Sequence, residues 1–141
     1  MADVRISEIA IARTRALRQS ILRSHETLEQ IAAGEPEEAF AAGAFDGRRL
    51  IAVGFVAPSV EPRRWRVRGM ATVAGERGRG AGRGVLDALL DHARARGAQR
   101  VWCNARVPAR SFYERAGFHP CSGVFDLPPI GPHLVMEREL S

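Results

Sequence analysis

Ten residues, Gly75-Glu-Arg-Gly-Arg-Gly-Ala-Gly-Arg-Gly84, constrain this chain more than any other stretch, because they join a period-two segment to a helical one. Upstream, Arg64, Arg66 and Arg68 alternate with Trp65 and Val67, which predicts a strand over 64–72. Downstream, Leu86, Leu89, Leu90 and Ala93 recur at helical spacing and Gly97 closes the run, so a helix is expected over 85–93. A strand that turns through glycines into a helix leaves backbone N–H groups unpaired at the helix start, where the positive end of the helix dipole also lies. The stretch therefore predicts an anion site, with Arg77, Arg79 and Arg83 adding charge at its rim.

Two common phosphate-loop spellings fail here. A Walker loop needs a lysine before Ser or Thr, and the chain has no lysine. A dinucleotide fingerprint needs GxGxxG, yet Gly78-x-Gly80 reaches Arg83 and Gly80-x-Gly82 reaches Val85 at the last position.

The rest of the chain reads as alternating elements. Val4–Ile6 predicts a short strand, residues 11–23 a helix with an irregular apolar stripe, and residues 39–56 a hairpin turning at Asp46-Gly47. Further elements are a strand at 101–103, a short helix at 109–116 ended by Gly117, and a last strand at 134–140. That order belongs to a mixed α/β class with a mixed sheet.

The 141 residues suit one domain. With 45% hydrophobic and 26% charged residues, the composition excludes disorder, collagen-like repeats and a disulfide scaffold. Cys103 and Cys121 lack metal-ligand spacing and are expected as reduced thiols, with no metal. The start, Met1-Ala-Asp-Val-Arg, has no apolar leader, and no apolar run approaches the roughly 18 residues a membrane span needs, so a cytoplasmic location is expected. The net charge of +5 would attract phosphates. All 21 basic residues are arginine, however, and that bias alongside abundant Ala and Gly looks like codon composition, which weakens any inference of nucleic-acid binding.

The glycine stretch contains Arg77-Gly-Arg-Gly-Ala-Gly82 after Met70-Ala-Thr72, and this resembles the acyl-CoA signature (Q/R)xxGx(G/A) of the GCN5-related N-acetyltransferases, the GNAT family. The segment from Asn104 to Phe118, with Phe112-Tyr-Glu-Arg-Ala-Gly-Phe118, is similar to the later FYExxGF segment of that family. Gly131-Pro-His133-Leu-Val-Met136 is similar to an ending seen in some members. The resemblance implies an α/β (α+β) fold: a mixed, mostly antiparallel central sheet of about six to seven strands flanked by about four helices. It also implies one domain over 1–141, acetyl-CoA as co-substrate, transfer to a primary amine, and a homodimer as an option.

Carried onto this sequence, the resemblance places the CoA diphosphate among Gly78, Arg79, Gly80, Ala81, Gly82 and Arg83, with Arg77 at the head of the motif. Met70, Ala71 and Thr72 would pair with the pantetheine arm where adjacent strands splay. Arg106 stands where relatives place Asn or Gln beside CoA, and Asn104 either substitutes for it or ends its strand. Tyr113, the sole tyrosine, falls on the position of the proton donor to the leaving thiolate; by itself it also reads as an aromatic packed between Phe112 and Phe118.

The general base breaks the pattern, since Arg66 and Arg68 occupy the strand positions where relatives carry Glu or His, and a guanidinium cannot accept a proton. Water, His119 and His133 are the alternatives, with His133 favoured because the Gly-Pro-His turn could reach the cleft. Arg66 and Arg68 project to one side of their strand and either clamp a carboxylate or phosphate of the acceptor or pair internally with Glu61 or Glu114.

Two rival readings remain at this level. One is an acyl-CoA sensor of the same fold without turnover. The other is a nucleic-acid module built on the Arg/Gly loop, against which stands the lack of aromatic residues interleaved with the arginines.

Overall fold

A computed structural model describes residues 3–140. Eight strands form one sheet: β1 (Val4–Ile9), β2 (Phe40–Asp46), β3 (Arg49–Pro58), β4 (Arg64–Thr72), β5 (Arg100–Arg106), β6 (His119–Pro120), β7 (Phe125–Leu127) and β8 (Gly131–Glu139). Their order across the sheet is β1-β2-β3-β4-β5-β8-β6, with β7 also paired to β8. β4 and β5 run parallel, and the remaining pairings are antiparallel. The helices are α1 (Arg15–Leu22), α2 (Leu28–Ala33), α3 (Ala81–Ala95) and α4 (Arg110–Arg115). β6 and β7, with two and three residues, raise the strand number above the expected six to seven.

Strand periodicity places helices on both faces. Ala42, Ala44, Ala52 and Val56 belong to one apolar cluster, whereas Ala41, Phe45, Val53 and Phe55, alternating with them, belong to another. The first cluster takes the inner stripe of α3, Val85, Leu86, Leu89, Leu90 and Ala93, all buried, and also Tyr113 and Phe118. Each fully buried leucine there contributes roughly 1.5–3 kcal/mol. The second cluster takes Leu17, Ile21 and Leu22 of α1.

Several expected elements change their bounds, three of them for a local reason. The helix expected over 11–23 divides into a 3-10 turn, Ile11–Thr14, and α1. The hairpin turns at Gly47-Arg48, since Asp46 already pairs with Arg49, and Gly47 supplies the positive φ of 61° that the turn requires. α3 begins at Ala81 rather than 85, because Gly80 at its N-cap, with φ of 81°, lets the loop turn directly into the helix. Among the described residues, no helix is long and apolar enough to cross a membrane, and no group of three or more His, Cys, Asp or Glu side chains is placed to hold a metal.

Candidate active site

The site is built around a fork in the sheet. β4 pairs with β5 at Arg64↔Arg100, Trp65↔Val101 and Arg66↔Trp102, and there the ladder stops although both strands continue. From Val67 to Thr72, β4 keeps β3 as its ladder partner on one side and has no strand on the other. A bulge accompanies the divergence: Val53 pairs with Ala71 but Phe55 pairs with Arg68, so β4 carries one extra residue opposite β3. Gly69 sits in the bulge with φ of 68°, and a Cβ there would lie 2.9 Å from the Phe55 ring and 3.0 Å from Arg18. Only glycine fits both the dihedral and the space.

A cleft of about 150 Å³ opens at this fork. Because it touches Tyr113 of the α3 side and Arg18 of the α1 side, it passes through the sheet. Leu22, Val67, Met70, Leu127 and Ile130 supply apolar wall, and Asn104 and Tyr113 supply neutral polar groups. Its charge comes from five arginines, Arg18, Arg23, Arg66, Arg68 and Arg106. No carboxylate or imidazole of the described residues lines it.

The arginines differ in how they are held. Arg18, buried at 3% exposure, donates to Glu35 at 2.6 Å and to Thr14 Oγ1 at 3.2 Å. Arg23 pairs with Glu26 at 2.7 Å. Arg68 donates to the Gly34 carbonyl and Arg106 to the Leu22 carbonyl, at the C-terminal ends of α2 and α1, where cations suit the helix dipole. Arg66 stacks on the Trp102 ring at 4.7 Å, and its buried Nε has no hydrogen-bond partner. Burial and the charge of Arg23 lower the Arg66 pKa. Burial, with Arg66, Arg18 and Arg23 adding repulsion, pulls Arg68 down to about 10, still protonated at neutral pH. The internal pairing considered for Arg66 and Arg68 is not what the structure contains: Glu61 pairs with Arg64 and Arg100, and Glu114 with Arg110.

Tyr113 lies on α4 with its ring edge-on to Phe112 and Phe118: it is a core aromatic that also borders the cleft. Burial lifts its phenol well above the ordinary range, and the adjoining Cys103 thiol adds to the effect. It therefore stays protonated across ordinary pH.

The other anticipated residues are spread around the fork and beyond it. Met70, Asn104 and Arg106 border the cleft, while Ala71 and Thr72 extend the open edge of β4. At the start of α3, the N–H groups of Gly80, Ala81, Gly82 and Arg83 precede the first helical bond, Gly84 N–H to Gly80 O, and no side chain caps them. Around them the rim is partly neutralised. Arg79 binds Asp46 and Glu76, Arg83 binds Asp87 and the Arg115 carbonyl, and Arg77 and Gly78 are exposed. His133 does not reach the cleft. It lies within β8 opposite Arg106, 5% exposed, with Nδ1 2.7 Å from the Gly131 carbonyl and its ring stacked on Phe125. His119 is exposed in β6 and does not line the cleft either.

Two charged cleft residues, Arg18 and Arg23, lie outside the sequence expectation. Arg18 sits four residues from both Thr14 and Leu22, a helical stripe facing the sheet that the irregular apolar pattern of this segment conceals.

Comparison with known proteins sets this geometry in a family. The Acetyltransferase (GNAT) family profile matches residues 6–118. The chain belongs to this GNAT family. By sequence, the chain is similar to an uncharacterized N-acetyltransferase of Bacillus subtilis strain 168, YitI: the two are 34% identical over 146 residues, covering 96% of this chain and 95% of that one. Among solved structures, the ribosomal-protein-S18-alanine N-acetyltransferase of Escherichia coli superposes with a TM-score of 0.78 at 18% identity, covering 98% and 94% of the two chains. Escherichia coli ElaA gives 0.78 at 17% identity, covering 99% and 100%. At these identities the structural likeness speaks for the GNAT fold.

Proposed function

We propose that this GNAT protein transfers an acetyl group from acetyl-CoA to the primary amine of an acceptor, both bound together, by direct attack of the amine. The observation that carries the reading is the juxtaposition of two unsatisfied backbone features, the open edge of β4 beyond Arg66 and the uncapped N-terminus of α3. Acetyl-CoA supplies a thioester acyl group, whose carbonyl carbon takes the amine while the thiol departs with a proton.

The chain's own groups match those needs. The α3 amides from Gly80 to Arg83 would hold the diphosphate, where hydrogen bonding and the helix dipole act together. The free side of Met70, Ala71 and Thr72 would pair with the amide-bearing arm as an added strand would. Donors along that edge would also stabilise charge developing on the acyl oxygen. Tyr113 would hold the proton that the departing sulfur takes.

No base is required of a side chain. Five guanidiniums around the cleft disfavour an ammonium ion inside it, which lowers the amine's pKa and lets it shed its proton to water. The absence of a carboxylate or imidazole from that lining equally suits a non-catalytic acyl-CoA sensor. Free-thiol release from acetyl-CoA across a panel of amines separates the two. Amine-dependent release supports transfer, whereas calorimetric binding of acetyl-CoA with no release above the hydrolysis background supports the sensor.

A further inference from the structure

The α1 side of the cleft carries more positive charge than the protein itself answers. Of its five arginines, Arg18 and Arg23 have carboxylate partners, while Arg66, Arg68 and Arg106 have none among the described residues. Arg68 and Arg106 each spend one donor on a helix-end carbonyl and keep others for the cleft. The Arg66 Nε is sealed from solvent with no acceptor at all. A buried polar group left unpaired is costly, and each such group in a folded protein asks for a missing partner.

Four carboxylates of the described residues are already taken: Glu35 is held by Arg15 and Arg18, Glu26 by Arg23, and Glu61 and Glu137 by Arg64 and Arg100. Trp102 orients what remains. Its Nε1 donates to Ser59 Oγ at 3.1 Å, and the fixed indole carries the Arg66 guanidinium over its ring, 4.7 Å from the centre. A planar fork held by stacking is preorganised for a carboxylate or phosphate.

Resting on the acetyl-transfer reading, we infer that the acceptor is a small amine bearing an oxyanion on the same short skeleton, gripped by Arg66 and Arg68 from the α1 side. The cleft volume of about 150 Å³ suits such a molecule; a cavity of that size holds roughly one benzene ring. A protein N-terminus, which carries no anion beside its amine, is thereby disfavoured. One bound oxyanion still leaves surplus positive charge to keep the amine unprotonated.

The test begins with direct anion binding, read by fluorescence of Trp102 in a Trp65→Phe background, which leaves Trp102 as the single indole. The protein is titrated with malonate and with inorganic phosphate, alone and with saturating acetyl-CoA. A saturable change with at least one anion, retained with acetyl-CoA and weakened tenfold or more by Arg66→Leu or Arg68→Leu, is expected. Arg66→Leu is further expected to raise the melting temperature, because it removes the unpaired buried Nε; a merely structural arginine would lower it. The kinetic arm compares β-alanine with propylamine, and O-phosphoethanolamine with ethanolamine, by thiol release.

At least tenfold higher kcat/KM for one charged member is expected, and which pair responds tells carboxylate from phosphate. No saturable fluorescence change, or one indifferent to both arginine variants, overturns the inference, as does equal use of charged and neutral amines. Absence of calorimetric acetyl-CoA binding overturns the transfer reading instead, while the anion titration still reports on the arginines.

Discussion

The Arg66 guanidinium lies 4.7 Å from the centre of the Trp102 ring, and these two residues are also the last paired rung between β4 and β5. The stack thus stands at the point where the sheet divides. Arg64 approaches the same ring at 4.8 Å, so one indole holds two like-charged groups one pleat apart.

Replacing Trp102 by leucine should therefore loosen the base of the fork. Two cation–π contacts of about 1 kcal/mol each are lost. A destabilisation of about 2 kcal/mol in urea unfolding is expected. Unchanged stability would mean that the stack does not hold the fork.

Gly69 sets the bulge beside that fork. A Gly69→Ala substitution places a Cβ within 3.0 Å of the Phe55 ring and of Arg18, at a φ that side chains rarely adopt. Destabilisation of about 2 kcal/mol is expected from the strain, measured by urea unfolding. Gly123, where a Cβ meets nothing within 4 Å, should accept alanine within about 0.5 kcal/mol.

What the sequence disclosed follows from which physical signals are local. β4, the glycine loop and α3 are legible because one period gives way to another across glycines, and both the helix stripe and its burial follow. α2 escaped the apolar-pattern reading because it has six residues, yet Thr27 and Gln30 form a reciprocal capping box whose spelling was present. β6 and β7 are too short for any period. His133 misled for a tertiary reason: Gly-Pro-His looks like a turn, but β5 and β7 both pair with β8 there and enclose the ring. The arginine cleft needs three separate segments to meet, which no window of sequence contains.

Glu35 couples stability to acid. Burial opposes its charge, but hydrogen bonds from Arg15 and Arg18 outweigh this and hold its carboxyl below the ordinary 4.5. A lowered folded pKa contributes stability that is fully present above the unfolded value and is lost as pH falls through the folded one. Glu35→Gln, which strands buried Arg18, should cost about 3 kcal/mol at pH 7. The gap between variant and parent should then narrow progressively below pH 4.5. A gap constant down to pH 3 would contradict the assignment.

The two thiols should differ sharply. Burial pushes Cys103 up to about 12, whereas Cys121 is exposed. Because the thiolate is the reactive form, a disulfide reagent at pH 8 should label Cys121 in the native protein and reach Cys103 only on unfolding. Mass spectrometry after proteolysis reads the sites directly. Equal labelling would show that the sheet face over Cys103 opens in the native state.

In the proposed transfer, Tyr113 would join the core to the chemistry. Its phenol is held well above 10.0, chiefly by burial, so it stays protonated as pH rises toward that value. Any alkaline decline of kcat below pH 10 should then be equally present in Tyr113→Phe. That variant keeps the ring contacts with Phe112 and Phe118 and loses the proton, so its melting temperature and acetyl-CoA affinity should match the parent. Its kcat for amine-dependent thiol release should fall by about 10²-fold, the usual contribution of a positioned acid. The deficit should shrink with an acyl donor whose leaving thiol is more acidic, since such a thiolate departs without a proton. A Tyr113→Phe enzyme at full rate with acetyl-CoA would return this residue to a purely packed role, with water as the proton source.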